Sequence, residues 1–269
     1  MTRFYLGCHQ PAWLERADFR LFISHRRLAK RLGPRARRPL PRARRPWGLD
    51  SAAFTELAMH GRWTITPGEY VAAVRRYREE IGHLATVSCQ DWMCEEIVRT
   101  GGRIGNIRFA GTGLSIRAHQ RKTVDNALDL FHRDASIPWM PVIQGWSIDD
   151  YHRCADLYES RGIDLRALPV VGLGSICRRS STAQIVGIVE AMAERGYRLH
   201  GFGIKSGGLD SVGHLLAAAD SCAWSYRGRR VAGCGPTHRT ESNCYAFAAR
   251  WRADLLTRPS RKTRMRGAA

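Results

Sequence analysis

Near-continuous apolar runs recur along this chain with room for a helix between most of them, and three of the runs carry an aspartate. They cover residues 4–8, 21–24, 47–50, 85–91, 139–144, 169–174, 199–204 and 218–224. Strands without a polar face are buried on both sides, as in a parallel sheet covered by helices. Helical periodicity fills 67–81, 117–132, 148–161, 182–195 and 208–217. Pro67 takes a favoured first-turn position, and Ser147 stands as a cap before residue 148. Eight strands with interleaved helices predict an α/β fold, a (β/α)8 barrel of TIM type. An open doubly wound sheet is the competitor. The chain lacks a Gly-x-Gly-x-x-Gly turn with an acidic residue on the next strand, which argues against a dinucleotide-binding version.

The three aspartates are Asp50, after Trp47-Gly48-Leu49; Asp91, after Ser88-Cys89-Gln90; and Asp220, after Ala217-Ala218-Ala219. A carboxylate at the end of a buried strand is poorly solvated and costly unless chemistry or a partner uses it. In a parallel barrel those ends form the mouth, where active sites sit. Capping of the following helix is the plainer alternative for each aspartate.

Charge narrows the partner. With 43 Lys and Arg against 24 Asp and Glu, the formal net charge is +19. Such a field attracts polyanions and serves no purpose on a neutral small molecule, so nucleic acid is the expected partner. An arginine-inflating coding bias is the alternative. One basic segment lies within 25–46, where prolines break any helix and leave Arg35, Arg37, Arg38, Arg42, Arg44 and Arg45 on an extended loop. Bidentate phosphate contacts suit it. A similar tail covers 257–269, leaving 1–256 for the barrel. No apolar run reaches bilayer-spanning length, and no basic-then-apolar leader opens the chain. The expectation is a cytoplasmic protein without a membrane partner, whose eight cysteines are reduced thiols or metal ligands. The glycine- and arginine-rich stretch 99–115 reads as a long loop inserted on the catalytic face.

A carboxylate, an amide and exposed backbone at strand ends suit the hydrogen-bonding edge of a purine. Asp91, Gln144 and the Gly172-Leu173-Gly174 end supply them. Two further carboxylates then remain for glycosidic double displacement, in which one attacks the anomeric carbon and the other shuttles a proton. For Gln144 a core-edge hydrogen bond is the competing reading.

Six motifs stand in order: Asp50-Ser51-Ala52-Ala53-Phe54, Gln90-Asp91-Trp92-Met93-Cys94-Glu95, Pro141-Val142-Ile143-Gln144-Gly145-Trp146, Val171-Gly172-Leu173-Gly174-Ser175, Leu199-His200-Gly201-Phe202-Gly203 and Ala219-Asp220-Ser221. Together they resemble the tRNA-guanine transglycosylase superfamily, and most of all its DNA 7-deazaguanine branch, the DpdA-like proteins. The resemblance implies Asp220 as nucleophile on C1′ and Asp50 as general acid/base. It implies a base pocket drawn from Ser51, Phe54, Asp91, Gln144, Gly172, Leu173, Gly174 and His200, with Arg227 or Arg229 on phosphate. The implied reaction replaces guanine with a 7-deazaguanine such as preQ0. The implied partners are DNA, or tRNA as the alternative polymer, a free 7-deazaguanine base and an accessory modification protein. Oligomeric state is left open, a homodimer included. A catalytically inactive, basic nucleic-acid-binding barrel and a small-sugar glycoside hydrolase are the other readings.

Two departures stand out. The superfamily carries glycine where this chain has Ala52 and Ala53. Its structural zinc motif, often His-x2-Cys-x2-Cys in the DNA branch, is replaced by Cys234, His238, Glu241 and Cys244, with Glu241 where a cysteine is expected. Three Cys and His ligands with Glu241 as an oxygen fourth would make a structural zinc site; a site lost altogether is the alternative. The remaining cysteines are scattered and expected to pack.

Overall fold

Pro141 decides how the sheet closes. In a computed structural model, which describes residues 2–29, 39–177, 179 and 181–257, nine parallel strands form one sheet. In chain order the strands are β1 (Arg3–Cys8), β2 (Leu21–Ser24), β3 (Trp47–Asp50), β4 (Leu84–Ser88), β5 (Gly102–Ile104), β6 (Ile107–Phe109), β7 (Trp139–Met140), β8 (Val142–Ile143), β9 (Val171–Leu173), β10 (Leu199–Gly201) and β11 (Leu216–Ser221). The sheet runs β7-β4-β3-β2-β1-β11-β10-β9-β8, so its two edges are consecutive pieces of one predicted strand. Proline has no N–H to give a ladder, so the stave breaks at Pro141. Its first half pairs β4 and its second half pairs β9, while the Pro141 carbonyl accepts the Gly172 N–H at 2.8 Å. The result is a nearly closed barrel whose stave order follows the chain.

Helices cover the outside: α1 (His25–Ala29), α2 (Ala53–His60), α3 (Pro67–Glu80), α4 (Glu96–Thr100), α5 (Ile116–Arg133), α6 (Ile148–Ser160), α7 (Thr182–Glu194), α8 (Ser206–Val212), α9 (Ala223–Gly228) and α10 (Tyr245–Thr257). Pro67 begins α3 behind a Thr66–Glu69 capping box, and Ser147 caps α6 reciprocally with Asp150. The predicted helix 208–217 is corrected. Gly213 and the apolar residues behind it end α8 at Val212, and β11 already starts at Leu216. The predicted loop 99–115 is corrected as well, because β5 and β6 pair there as an antiparallel hairpin. Gly105, at φ 58°, opens its two-residue turn.

The main core fills the space between strands and helices, with Trp47, Leu49, Tyr70 and Tyr77 among its buried residues. A second cluster of Tyr5, Phe22, Met140, Val170 and Ala218, packed by Phe202, plugs the barrel interior. Arg35, Arg37, Arg38 and residues 258–269 lie outside the described residues. No helix among the described residues is long and apolar enough to cross a membrane.

Candidate active site and metal centre

Strand alternation aims the aspartates. In β3, Trp47 and Leu49 belong to the outer core, so Gly48 and Asp50 face the barrel axis. The ladder sets Ser24 beside Asp50 and Tyr5 beside Asp220. Above the aromatic plug, at the C-terminal strand ends, lies a cavity of about 260 Å³. Asp50, Asp91 and Asp220 all line it, together with Phe54, Gly174, Ser24, Ser88 and Ser175. The three carboxylates that the sequence places at strand ends therefore share one small chamber.

Their surroundings differ. Asp50 accepts the Ala52 N–H at 3.2 Å, yet burial lifts its pKa to about 6; the Ser24 hydrogen bond opposes that rise and the charge of Asp220 adds to it. Burial raises Asp91 to about 7, against the Gln144 amide and with a contribution from Asp50. Asp220 is held through one oxygen: its Oδ1 accepts from His200 Nε2 at 3.1 Å and from the Gly203 N–H at 3.0 Å. His200 stacks on Phe22 and meets Phe202 edge-on, and among the described residues its buried Nδ1 has no partner.

Several predicted contact residues stand one layer behind the wall. Gln144 is fully buried and outside the lining; its amide donates to Asp91 and its Oε1 accepts from Ser175 at 2.7 Å. One of its amide N–H groups thus orients Asp91. Ser51 donates to the other Asp91 oxygen at 3.4 Å, and His200 reaches Asp220 without lining the cavity. Gly172 and Leu173 do not expose backbone as expected, because β9 is paired on both sides. A Cβ at Gly172 would meet the Phe202 ring at 2.5 Å, so this glycine makes room for the plug.

Sequence reasoning missed Ser175, Glu95 and Gly203. Ser175, at φ 54°, accepts the Cys94 N–H and shares its single hydroxyl proton between Gln144 and Glu95, tying two strand ends together. The second glycine of Gly201-Phe202-Gly203 was the available signal for a backbone donor. Cys8, Cys177 and Cys222 line the cavity instead of only packing, but burial pushes the Cys8 thiol up to about 12 and raises Cys222 further, so both stay protonated.

A polar cleft of about 290 Å³ adjoins the first, with His9 in both walls and Arg27, Arg229, Ser225 and Asn243 around it. Desolvation and the charges of Arg27 and Arg229 hold His9 below its ordinary pKa. Arg229 thus reaches this cleft, whereas Arg227 is exposed on α9 outside its lining. Arg42, Arg44 and Arg45 are exposed just before β3, where Ala43 donates to the Ile81 carbonyl ahead of β4. They occupy the strand-entry rim, the opposite end of the barrel from the cavity. Leu40 and Ala43 pack into the core there, so this part of the arm is anchored.

Beyond α9, the ligand atoms of Cys234, His238, Glu241 and Cys244 lie within 4.8 Å of one another. Bonds of about 2.3 Å at the tetrahedral angle put two zinc-bound sulfurs about 3.8 Å apart; Cys234 and Cys244 Sγ are 3.7 Å apart. His238 Nε2 stands 3.7 Å from Cys234 Sγ and 3.6 Å from Glu241 Oε1. Glu241 is buried, and its Oε2 has no partner among the described residues. The group fits a tetrahedral ion.

No curated protein matches the chain. A barrel with a carboxylate-lined mouth, a basic cleft beside it and a four-ligand cluster near the C-terminus accords with the family model that matches residues 1–266, described as DpdA, DeoxyPurine in DNA protein A, and the chain belongs to that family.

Proposed function

We propose that this protein exchanges guanine in DNA for a 7-deazaguanine such as preQ0, through a nucleotide covalently held on Asp220. The observation that carries the reading is the meeting of Asp50 and Asp220 in one small cavity, one of them with a pKa near 6. The family's deoxypurine description favours DNA over tRNA as the polymer.

The steps follow from the residues. The target nucleotide leaves the stack and its base enters the cavity. Asp91, oriented by Gln144 and Ser51, accepts hydrogen bonds from the N–H groups of the guanine edge. A 7-deazaguanine has the same edge, so one chamber serves both bases. With Oδ1 fixed by His200 and Gly203, Asp220 attacks C1′ through Oδ2. The C1′–N9 bond breaks, its electron pair passes to the base, and the Asp50 carboxylic acid donates the proton that neutralises it. The incoming base then gives its N9 proton to Asp50 and attacks C1′, and Asp220 departs. Two inversions leave the anomeric configuration retained. A carboxyl near pKa 6 suits both proton transfers near neutrality. His9, Arg27 and Arg229, which line the neighbouring cleft, would hold a phosphate of the same strand.

Zinc is the ion that Cys234, His238, Glu241 and Cys244 would hold. With all four positions filled by protein it would serve structure, fixing the loop that follows α9.

Labelled guanine offered with DNA tests the reading, because an enzyme that expels guanine must also accept it back. Asp220→Ala is expected to lose both exchange and a denaturant-stable protein–DNA adduct, by about 10⁴-fold or more. Asp50→Asn should slow exchange by about 10²–10⁴-fold while DNA binding persists. An adduct that still forms in Asp220→Ala would overturn the assignment.

A further inference from the structure

The β5–β6 hairpin is expensive in water and has no role in the chemistry above. Ile104 and Ile107 pair across its tip, 55% and 54% exposed. Arg103 and Arg108 pair directly on its other face, like charge against like charge, and both are exposed. An isolated two-stranded hairpin gains little from its own pairing. This one is nevertheless fixed at its base. The Ala110 N–H donates to the Ala58 carbonyl at 2.8 Å, and the Thr112 N–H to the Val98 carbonyl at 2.9 Å. A Cβ at Gly101, at φ 71°, would meet the Ala110 carbonyl oxygen at 2.6 Å, so the two legs cross closely.

Position matters as much as composition. The hairpin follows β4 and packs on α2, so it rises from the same rim as the cavity. By the alternation of a strand, Ile104 and Ile107 share a face with Phe109. Phe109 touches Phe54 edge-on, with ring centroids 6.2 Å apart, and Phe54 lines the cavity. An apolar path therefore runs from the cavity wall to the hairpin tip, backed by two guanidinium groups.

We propose that the hairpin is a wedge for duplex DNA: Ile104 and Ile107 enter the base stack beside the target guanine, and Arg103 and Arg108 meet the flanking phosphates. One partner then relieves both costs, since bases cover the isoleucines and phosphates neutralise the facing arginines. Apolar side chains inserted at a base step unstack it, and the reaction requires a base out of its stack. The wedge rests on the base-exchange reading, and the test separates the two.

Guanine exchange is measured on duplex DNA and on the same DNA heat-denatured, with wild type, Ile104→Ser/Ile107→Ser and Ile104→Leu/Ile107→Leu. The serine variant is expected to lose about tenfold or more on the duplex, stay within about twofold on single strands, and be rescued by leucine, as a wedge that lowers only the unstacking cost requires. An equal loss on both substrates, or none on the duplex, overturns the wedge while leaving base exchange standing. A serine variant with full duplex exchange but an altered elution volume assigns the face to a second copy of the chain and overturns it too. Wild type without exchange on either form removes the exchange reading, and the wedge falls with it.

Discussion

Asp50 and Asp220 come from distant parts of the chain and meet because neighbouring strands run in register, whereas Cys234, His238, Glu241 and Cys244 sit within one loop with little regular structure beneath them. The cavity wall is carried by the barrel ladder and an aromatic plug. The loop of the cluster has an isolated bridge, Ala232 to Thr240, and a short 3-10 turn at Glu241–Asn243. A site made by register can hold repelling carboxylates in place without a ligand. A site made by a loop holds its donors together only if an ion neutralises and bridges them. The two regions should therefore respond in opposite ways when a binding partner is taken away.

The largest expected effect is at the cluster. Cys244→Ala, or chelation of the native protein, should remove one equivalent of metal by elemental analysis. Hydrogen-exchange protection across residues 231–244 should then fall by about a hundredfold or more, since structural zinc binding is itself folding energy. Protection of β3 and β11 should change little. If both regions melt together, the contrast between them is wrong and the metal supports the whole barrel.

How far each region could be read in advance follows the same division. All eight barrel staves were legible because burial on both faces writes an unbroken apolar run, and three strand ends were legible because Asp50, Asp91 and Asp220 break that pattern. The split at Pro141 was not drawn from the sequence, where 139–144 read as one strand although a proline cannot donate to a ladder. The role of Gln144 was not legible: an amide at a strand end has the same spelling whether it faces a ligand or a neighbouring carboxylate, and the bond to Asp91 appears only in three dimensions. Ser175 itself depends on a positive φ that its sequence does not announce. The position of the basic arm was not legible, since charge alone does not say which rim Arg42, Arg44 and Arg45 occupy. The hairpin was legible in Gly105-Asn106, but the many glycines around it spelled a loop.

Next in size is the cost of keeping carboxylates in the cavity. Asp91 rises from an ordinary 3.8 to about 7 on folding. The native state then binds more protons than the unfolded chain between roughly pH 4 and 7, so this group's contribution to stability falls as pH rises through that window. Asp50, raised to about 6, adds to that fall, whereas His25, held down to about 4 by burial, acts in the opposite sense over part of the range, so the wild-type profile alone mixes these groups. Asp91→Asn isolates the term: relative to wild type it should gain up to about 4 kcal/mol between pH 4 and pH 8, at 1.36 kcal/mol per unit. Denaturant unfolding at the two pH values measures it. Exchange should fall in the same variant, because an amide presents an N–H to the guanine edge. A pH-independent difference in stability would show that the cavity holds Asp91 at little cost and would weaken the contrast.

A smaller effect is expected behind Asp220. His200→Phe keeps the aromatic plug and removes the donor to Asp220 Oδ1. Loss of one such orienting hydrogen bond should lower kcat about tenfold with KM nearly unchanged. His200→Gln, which keeps an N–H, should recover part of the loss. A change in KM alone would make His200 a packing residue and leave Gly203 as the group that orients Asp220.

The smallest effect tests the backbone side of the comparison. Ala52 sits at φ 74° and ψ 21°, immediately before α2, and its side chain lines the cavity beside Asp50. An alanine in this left-handed region costs about 1 kcal/mol relative to glycine, which gives a reason for the glycine found there in the wider superfamily. The barrel tolerates the strain because β3 and α2 fix both sides of the turn. Ala52→Gly should therefore stabilise the chain by about 0.5–1 kcal/mol, less whatever the freer unfolded chain takes back, and open the cavity by one methyl group. If the extra room admits bulkier 7-substituted deazaguanines, KM for them should fall while that for guanine holds. A destabilised Ala52→Gly would mean that packing of the Ala52 methyl outweighs its backbone strain, and that the mouth is shaped by side-chain contact as much as by register.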